Sequence, residues 1–155
     1  AVPFNLNGTA LLSGFYLNEL LIRLLQCYDP HVQLFAYYEK TLGRLADDFS
    51  IDVALRYFEK YLLEQLGYGL QLETDIVTGD PLRPDYKYRF IVERGFVKGE
   101  PHEFSRCISG HSLIALRDEQ LEDSIDATKE LKPIMRYIIA YYLGDKPLMS
   151  RALFS

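Results

Sequence analysis

Ser50-Ile-Asp-Val-Ala-Leu-Arg-Tyr-Phe-Glu-Lys-Tyr-Leu-Leu-Glu-Gln-Leu-Gly-Tyr-Gly69 is the stretch that decides the fold. A serine suited to capping a helix opens it, and Gly67, which takes a left-handed backbone without steric cost, closes it. Between them Ile51, Ala54, Leu55, Phe58, Leu62 and Leu66 recur at helical spacing and predict one apolar stripe. Arg56 and Lys60 stand one turn apart beside that stripe, with Leu63 one turn beyond.

Helical spacing continues toward the N-terminus. Phe15, Leu17, Leu20, Leu21, Leu24 and Leu25 predict a helix from near Ser13 to about Cys27, apolar over more than half of its circumference and so buried on most sides. Residues 1–12, with Pro3, Asn5, Asn7 and Gly8, read as an extended lead-in. Asp29-Pro30 pairs a capping acceptor with a residue that needs no amide donor, and predicts a second helix from about Pro30 to Leu45.

Beyond Leu66 the pattern changes. Gly and Pro punctuate residues 70–106, and Tyr86–Val92 and Gly95–Lys98 read as two strands joined by a turn at Glu93-Arg94-Gly95. Helix returns over Ser112–Arg117 and over Glu119–Leu143, bent or restarted at Pro133, with a last turn capped by Ser150 and reaching Phe154. The fold class is mainly α, a helical bundle carrying a small inserted β-hairpin, with one domain over 13–155.

The chain has 155 residues, 48% hydrophobic and 14% aromatic, enough for a real core. No run of eighteen apolar residues and no secretory leader is visible, and Cys27 and Cys107 form no disulfide framework, so a reducing cytoplasm is expected. Net charge is −5. DNA binding draws on a footprint of Lys and Arg. Only the stretch with Arg83, Lys87, Arg89, Arg94 and Lys98 is locally positive, against Asp85 and Glu93. A direct nucleic-acid binder using those five cations is therefore the rival to a protein-binding module.

Catalytic patterns do not assemble. Ser109-Gly-His-Ser112 lacks the order of a nucleophile elbow, and no phosphate-binding Gly-rich loop occurs. His102, Cys107 and His111, with Asp75, Glu100 and Glu103 nearby, lack the paired-cysteine spacing of a structural zinc site, so no metal and no cofactor is expected. The aromatic pairs Phe35 with Tyr38, Phe58 with Tyr61 and Tyr137 with Tyr141 sit at core spacing. Tyr86, Tyr88 and Phe90 alternate with Lys87 and Arg89 as in an amphipathic hairpin. Arg56 and Lys60 have two readings: a receptor for an acidic peptide with an apolar end, walled by Leu55, Tyr57 and Leu63, or a solvated helix face paired with Glu59 and Glu64.

Three motifs in fixed order carry a resemblance. Tyr16-Leu-Asn-Glu-Leu-Leu21, the segment ending Leu66-Gly-Tyr-Gly69, and Lys146-Pro-Leu-Met-Ser-Arg151 resemble the C-terminal part of the RecO family, over about Leu12 to Phe154. The likeness implies a non-enzymatic recombination mediator in bacterial DNA repair, cytoplasmic and nucleoid-associated. It implies partners too: the acidic C-terminal tail of single-stranded-DNA-binding protein, RecR in RecA loading and strand annealing, and DNA held mainly by an N-terminal OB-fold that residues 1–12 would follow. By likeness Arg56 is the tail contact, with Lys60 beside it, while Lys146 and Arg151 would touch DNA or a partner. Many relatives hold zinc through two Cys-x-x-Cys pairs. Here Asp75-Ile-Val-Thr78 stands at the first and Lys98 near the second. The insert is expected to be zinc-free, held by packing and hairpin pairing.

Overall fold

The structure, a computed structural model, describes residues 6–24, 32–47, 49–100 and 107–143. Its elements are α1 (Thr9–Leu24), α2 (Val32–Ala46), α3 (Ile51–Gln65), β1 (Lys87–Ile91), β2 (Gly95–Lys98), β3 (Cys107–Ser109), α4 (Gly110–Arg117) and α5 (Ile125–Leu143). The chain is thus mainly helical with a small β insert.

α3 is the wall between two cores. Ser50 Oγ accepts from Val53 N at 3.4 Å, Leu66 ends the helix, and Gly67 follows at φ +85°. Ala54, Leu55, Phe58 and Leu62 pack toward α1 and α2 with Leu17, Leu20 and Leu34. Val53, Tyr57 and Leu63 pack on the other side with Tyr88, Phe96, Leu113 and Leu131. The single stripe read from spacing is therefore too narrow. Ile51 and Leu66, expected within it, are only half-buried, while Arg56 and Glu59 are buried.

Burial is one-sided in the helices flanking α3. α1 buries Leu17, Leu20 and Leu21 but leaves Leu11, Phe15 and Ile22 exposed. Phe35, Tyr137 and Tyr141, expected in the core, are likewise exposed, because α2 and α5 each present one face to their neighbours. α1 also starts earlier than expected: Gly8 turns at φ +58°, Gly8 O accepts from Leu12 N, and residues 9–12 are helical. The region expected to hold the end of α1 and the Asp29-Pro30 start of α2 lies outside the described residues, as does the turn at 150–154.

The insert is a three-stranded antiparallel sheet in the order β2-β1-β3. β1 and β2 form the expected hairpin, with Ile91 opposite Gly95 and Glu93 at φ +64° in the turn. β3 was not legible, being three residues too short to show a period. It pairs Cys107 with Arg89 and Ser109 with Lys87. Tyr88 lies on the inward side of the amphipathic hairpin. Its ring is buried, and its hydroxyl accepts from Arg83 N at 2.8 Å. Asp75 staples the insert: Oδ1 accepts from Val77 N at 2.8 Å and Thr78 N at 3.1 Å, and Oδ2 from Lys98 N at 2.9 Å.

Gly110 opens α4 where backbone passes closest to backbone, since a Cβ there would lie 1.8 Å from Arg83 O. The helix starts two residues before the expected Ser112, capped by Ser109. The expected helix over Glu119–Leu143 is shorter at its N-terminus. Glu119 takes φ +53°, Leu121–Asp123 form a 3-10 turn, and α5 begins at Ile125 behind the cap of Ser124. α5 runs through Pro133 without restarting. Lys129, whose carbonyl loses its usual donor there, is exposed.

Candidate peptide-binding site

Arg56 lies on α3 with only 4% of its surface exposed. A charge that deep needs a partner, and Glu59 supplies it one turn on. Arg56 Nε donates to Glu59 Oε1 at 2.5 Å and Nη2 to Oε2 at 3.0 Å, a bidentate pair. Tyr16 on α1 donates its hydroxyl to the same Oε2. Burial alone would lower the Arg56 pKa, but the Glu59 carboxylate more than offsets that and raises it, so the guanidinium stays charged. One nitrogen is left over. Arg56 Nη1 is buried and has no hydrogen-bond partner among the described residues.

A cavity of about 220 Å³ opens beside Arg56, between α1, α3 and α5. α1 contributes Ser13 and Tyr16, α3 contributes Ile51, Asp52 and Leu55, and α5 contributes Lys132 and Arg136. Lys132 and Arg136 are exposed at its rim. The result is a small, mostly polar cleft in which Ile51 and Leu55 supply the aliphatic wall, Lys132 and Arg136 a cationic edge, and Arg56 a fixed guanidinium. That combination suits a carboxylate carried beside an apolar group.

The structure brings only two of the five expected peptide contacts, Arg56 and Leu55, to this cavity. Lys60 points elsewhere: its Nζ donates to Leu116 O and Arg117 O, both at 3.2 Å, and so caps the C-terminus of α4. Tyr57 is buried in the other core, where its hydroxyl accepts from Leu121 N at 2.9 Å and bonds Glu122, and Leu63 is buried beside it. The solvated alternative for Arg56 is also corrected: Glu59 is its partner, but inside the protein. Sequence reasoning missed Ser13, Tyr16, Lys132 and Arg136. Lys132 and Arg136 carry the same four-residue spacing that drew attention to Arg56 and Lys60.

The five cations of the insert sit in different settings. Arg83 pairs with Asp85 at 3.3 Å, both well exposed. Arg83 and Lys98 lie over the Tyr86 ring, 4.6 and 4.2 Å from its centroid. Lys87 and Arg94 are exposed, and Arg89 lines a separate cavity of about 660 Å³ between β1 and α5, with Phe90, Ile134 and Tyr137. Lys146, Arg151, His102 and Glu103 lie outside the described residues. Ser109 caps α4, Ser112 is buried and His111 is exposed. Among the described residues no three His, Cys, Asp or Glu converge on a metal geometry, and no helix is long and apolar enough to cross a membrane.

Comparison with known proteins places these residues in a family. Residues 6–152 match the family described as "Recombination protein O C terminal". The chain is 45% identical over 152 residues to "DNA repair protein RecO" of Coxiella burnetii, covering 98% of this chain and 65% of that protein. It is 44% identical to the RecO of Pseudomonas aeruginosa, over 99% of this chain and 64% of the relative. With the RecO of Methylococcus capsulatus it shares 43% identity, over 99% and 62%. The chain thus spans just under two thirds of the length of the curated relatives it matches.

Proposed function

This chain belongs to the RecO family, matching the C-terminal part of its members, and from that membership we propose that it serves DNA repair as the partner-binding portion of a recombination mediator. Its ligand in this reading is the acidic C-terminal tail of single-stranded-DNA-binding protein, taken up in the α1–α3–α5 cavity. One observation carries the reading: a charged, pinned guanidinium keeps a buried N–H unpaired, in a cleft edged by two further cations. Such a donor gains more from an acidic ligand than an exposed cation, because its desolvation has already occurred on folding.

Holding that tail would bring the mediator to coated single-stranded DNA in the bacterial cytoplasm. Cooperation with RecR in RecA loading and strand annealing, and DNA binding by an N-terminal OB-fold, complete the activity. The work is recognition and assembly, not bond-making chemistry.

Fluorescence anisotropy of a labelled acidic tail peptide, titrated with the chain, tests the reading. Affinity on the order of micromolar is expected, with roughly tenfold loss in Lys132→Ala, an exposed position where the substitution leaves the fold intact. Arg56→Lys, which keeps the charge but not the fork, is expected to lose at least as much. No peptide binding, with single-stranded DNA bound instead and steeply weakened by salt, would overturn it in favour of the basic insert.

A further inference from the structure

The turn between β1 and β2 meets the C-terminal end of α5, and tyrosines gather there. Tyr68, just past α3, stacks flat on Tyr142 of α5, with ring centroids 4.1 Å apart and planes at 14°. Tyr141 meets the Tyr142 ring edge-on, at 5.1 Å and 80°. The Tyr141 hydroxyl donates to the Glu93 carboxylate, and the Glu93 N–H donates to the Tyr142 hydroxyl. Loss of solvent first, and the Glu93 charge after it, hold both phenols above their ordinary range. The rings are nonetheless open to a partner: Tyr68 is 44% exposed, Tyr141 42%, and Tyr137, one turn earlier on α5, 49%. Large exposed aromatics grouped in this way mark a surface that meets another molecule.

The chemistry of the patch selects the partner. An aromatic face carries negative charge density, and Glu93 adds a carboxylate beside it, so both attract a cation. Glu93 is exposed and holds φ +64°, a backbone conformation that glycine adopts at less cost. Arginine suits both parts at once, since its planar guanidinium lies flat on a ring and forks onto a carboxylate. We propose that Tyr68, Tyr141 and Glu93 form a docking site for an arginine side chain of a basic partner protein. Tyr142 is the positioning residue, backing the Tyr68 ring and bonding the Glu93 backbone. Arg94, beside Glu93 on the turn, is exposed as well, so the preference for a cation comes from Glu93 and the ring faces acting together. Bases also stack on tyrosine, but a phosphate chain laid along these rings would meet the Glu93 carboxylate. The site shares no residue with the α1–α3–α5 cavity and takes a ligand of opposite charge.

An NMR titration of the isotope-labelled chain with the peptide acetyl-Gly-Gly-Arg-Gly-Gly-amide tests the proposal. The ring resonances of Tyr68 and Tyr141 should shift and saturate. The same peptide with citrulline for arginine, similar in shape but neutral, should leave them in place. Tyr68→Leu keeps apolar area but removes the aromatic face, and Glu93→Gln keeps size but removes the charge. Each should weaken binding about three- to fivefold. Both positions are exposed, so the melting temperature should hold. Asp85→Asn removes an exposed carboxylate elsewhere on the insert and should leave affinity unchanged. An equal loss in Asp85→Asn would reduce the attraction to net charge and overturn the proposal. Citrulline binding as well as arginine, or unchanged affinity in Tyr68→Leu, would overturn it too. Ring shifts produced by oligothymidylate and not by the peptide would assign the patch to nucleic acid instead.

Discussion

The α3 cavity and the β insert each hold cations that could meet a partner, and they hold them in opposite ways. Arg56 is buried, doubly bonded to Glu59, and has one N–H to give. Arg83, Lys87, Arg94 and Lys98 are exposed, and Arg83 shares its charge with an equally exposed Asp85. Exposed pairs of that kind contribute little and are screened by salt. The first region presents one donor held in one orientation. The second offers diffuse attraction. Number of cations and burial with pairing thus rank the two regions in opposite order, and the proposed function follows burial with pairing.

The largest effect that would break this contrast is at Arg56. Arg56→Ala strands the Glu59 carboxylate in the core, and urea denaturation should show a loss of about 3–5 kcal/mol. The double variant Arg56→Met with Glu59→Leu removes both charges and should recover most of that stability while binding no peptide. Recovery of peptide binding along with stability would show that the pair serves packing alone.

Next in size is Asp75. Burial pulls its carboxyl up, but the bonds it accepts from the backbone N–H groups of Lys98, Val77 and Thr78 outweigh that and hold it below the usual carboxylate range. Its folded pKa lies under its unfolded value, so its stabilisation is fully present above about pH 4 and is lost as pH falls through the folded value. Asp75→Asn should cost about 1–3 kcal/mol at neutral pH. It should also flatten the acid side of the stability profile, as read by thermal melts between pH 2 and pH 7, with both numbers here on the order of magnitude set by carboxylate titration.

The smallest effects sharpen the contrast from the other side. Lys87→Ala and Arg94→Ala should each change stability by no more than about 0.5 kcal/mol and leave peptide affinity untouched. A large effect of either on the peptide titration would place the binding surface on the insert.

Much of this was legible where a local rule acts alone. Ser50 and Gly67 bounded α3 correctly because caps are read from single residues. The hairpin followed from strand-like runs on either side of Gly95. What escaped was set by packing between distant segments. That α3 is buried on two sides turned Tyr57 and Leu63 inward and drew Arg56 under the surface. Lys60, one turn away, meets the end of α4 because Leu116 and Arg117 arrive there in space, 56 residues or more along the chain. The cavity shares this origin. Ser13, Arg56 and Lys132 come from three helices, and no spacing within one helix announces them. β3 depended on Cys107 arriving beside Arg89, which three residues cannot signal.

The most direct test is a titration of isotope-labelled chain with the acidic tail peptide, following backbone amide resonances by NMR. Shifts are expected to concentrate on Ser13 and Tyr16 in α1, Ile51–Arg56 in α3 and Lys132–Arg136 in α5, while residues 83–98 stay still. Shifts concentrated on 83–98, with α3 unmoved, would contradict that expectation.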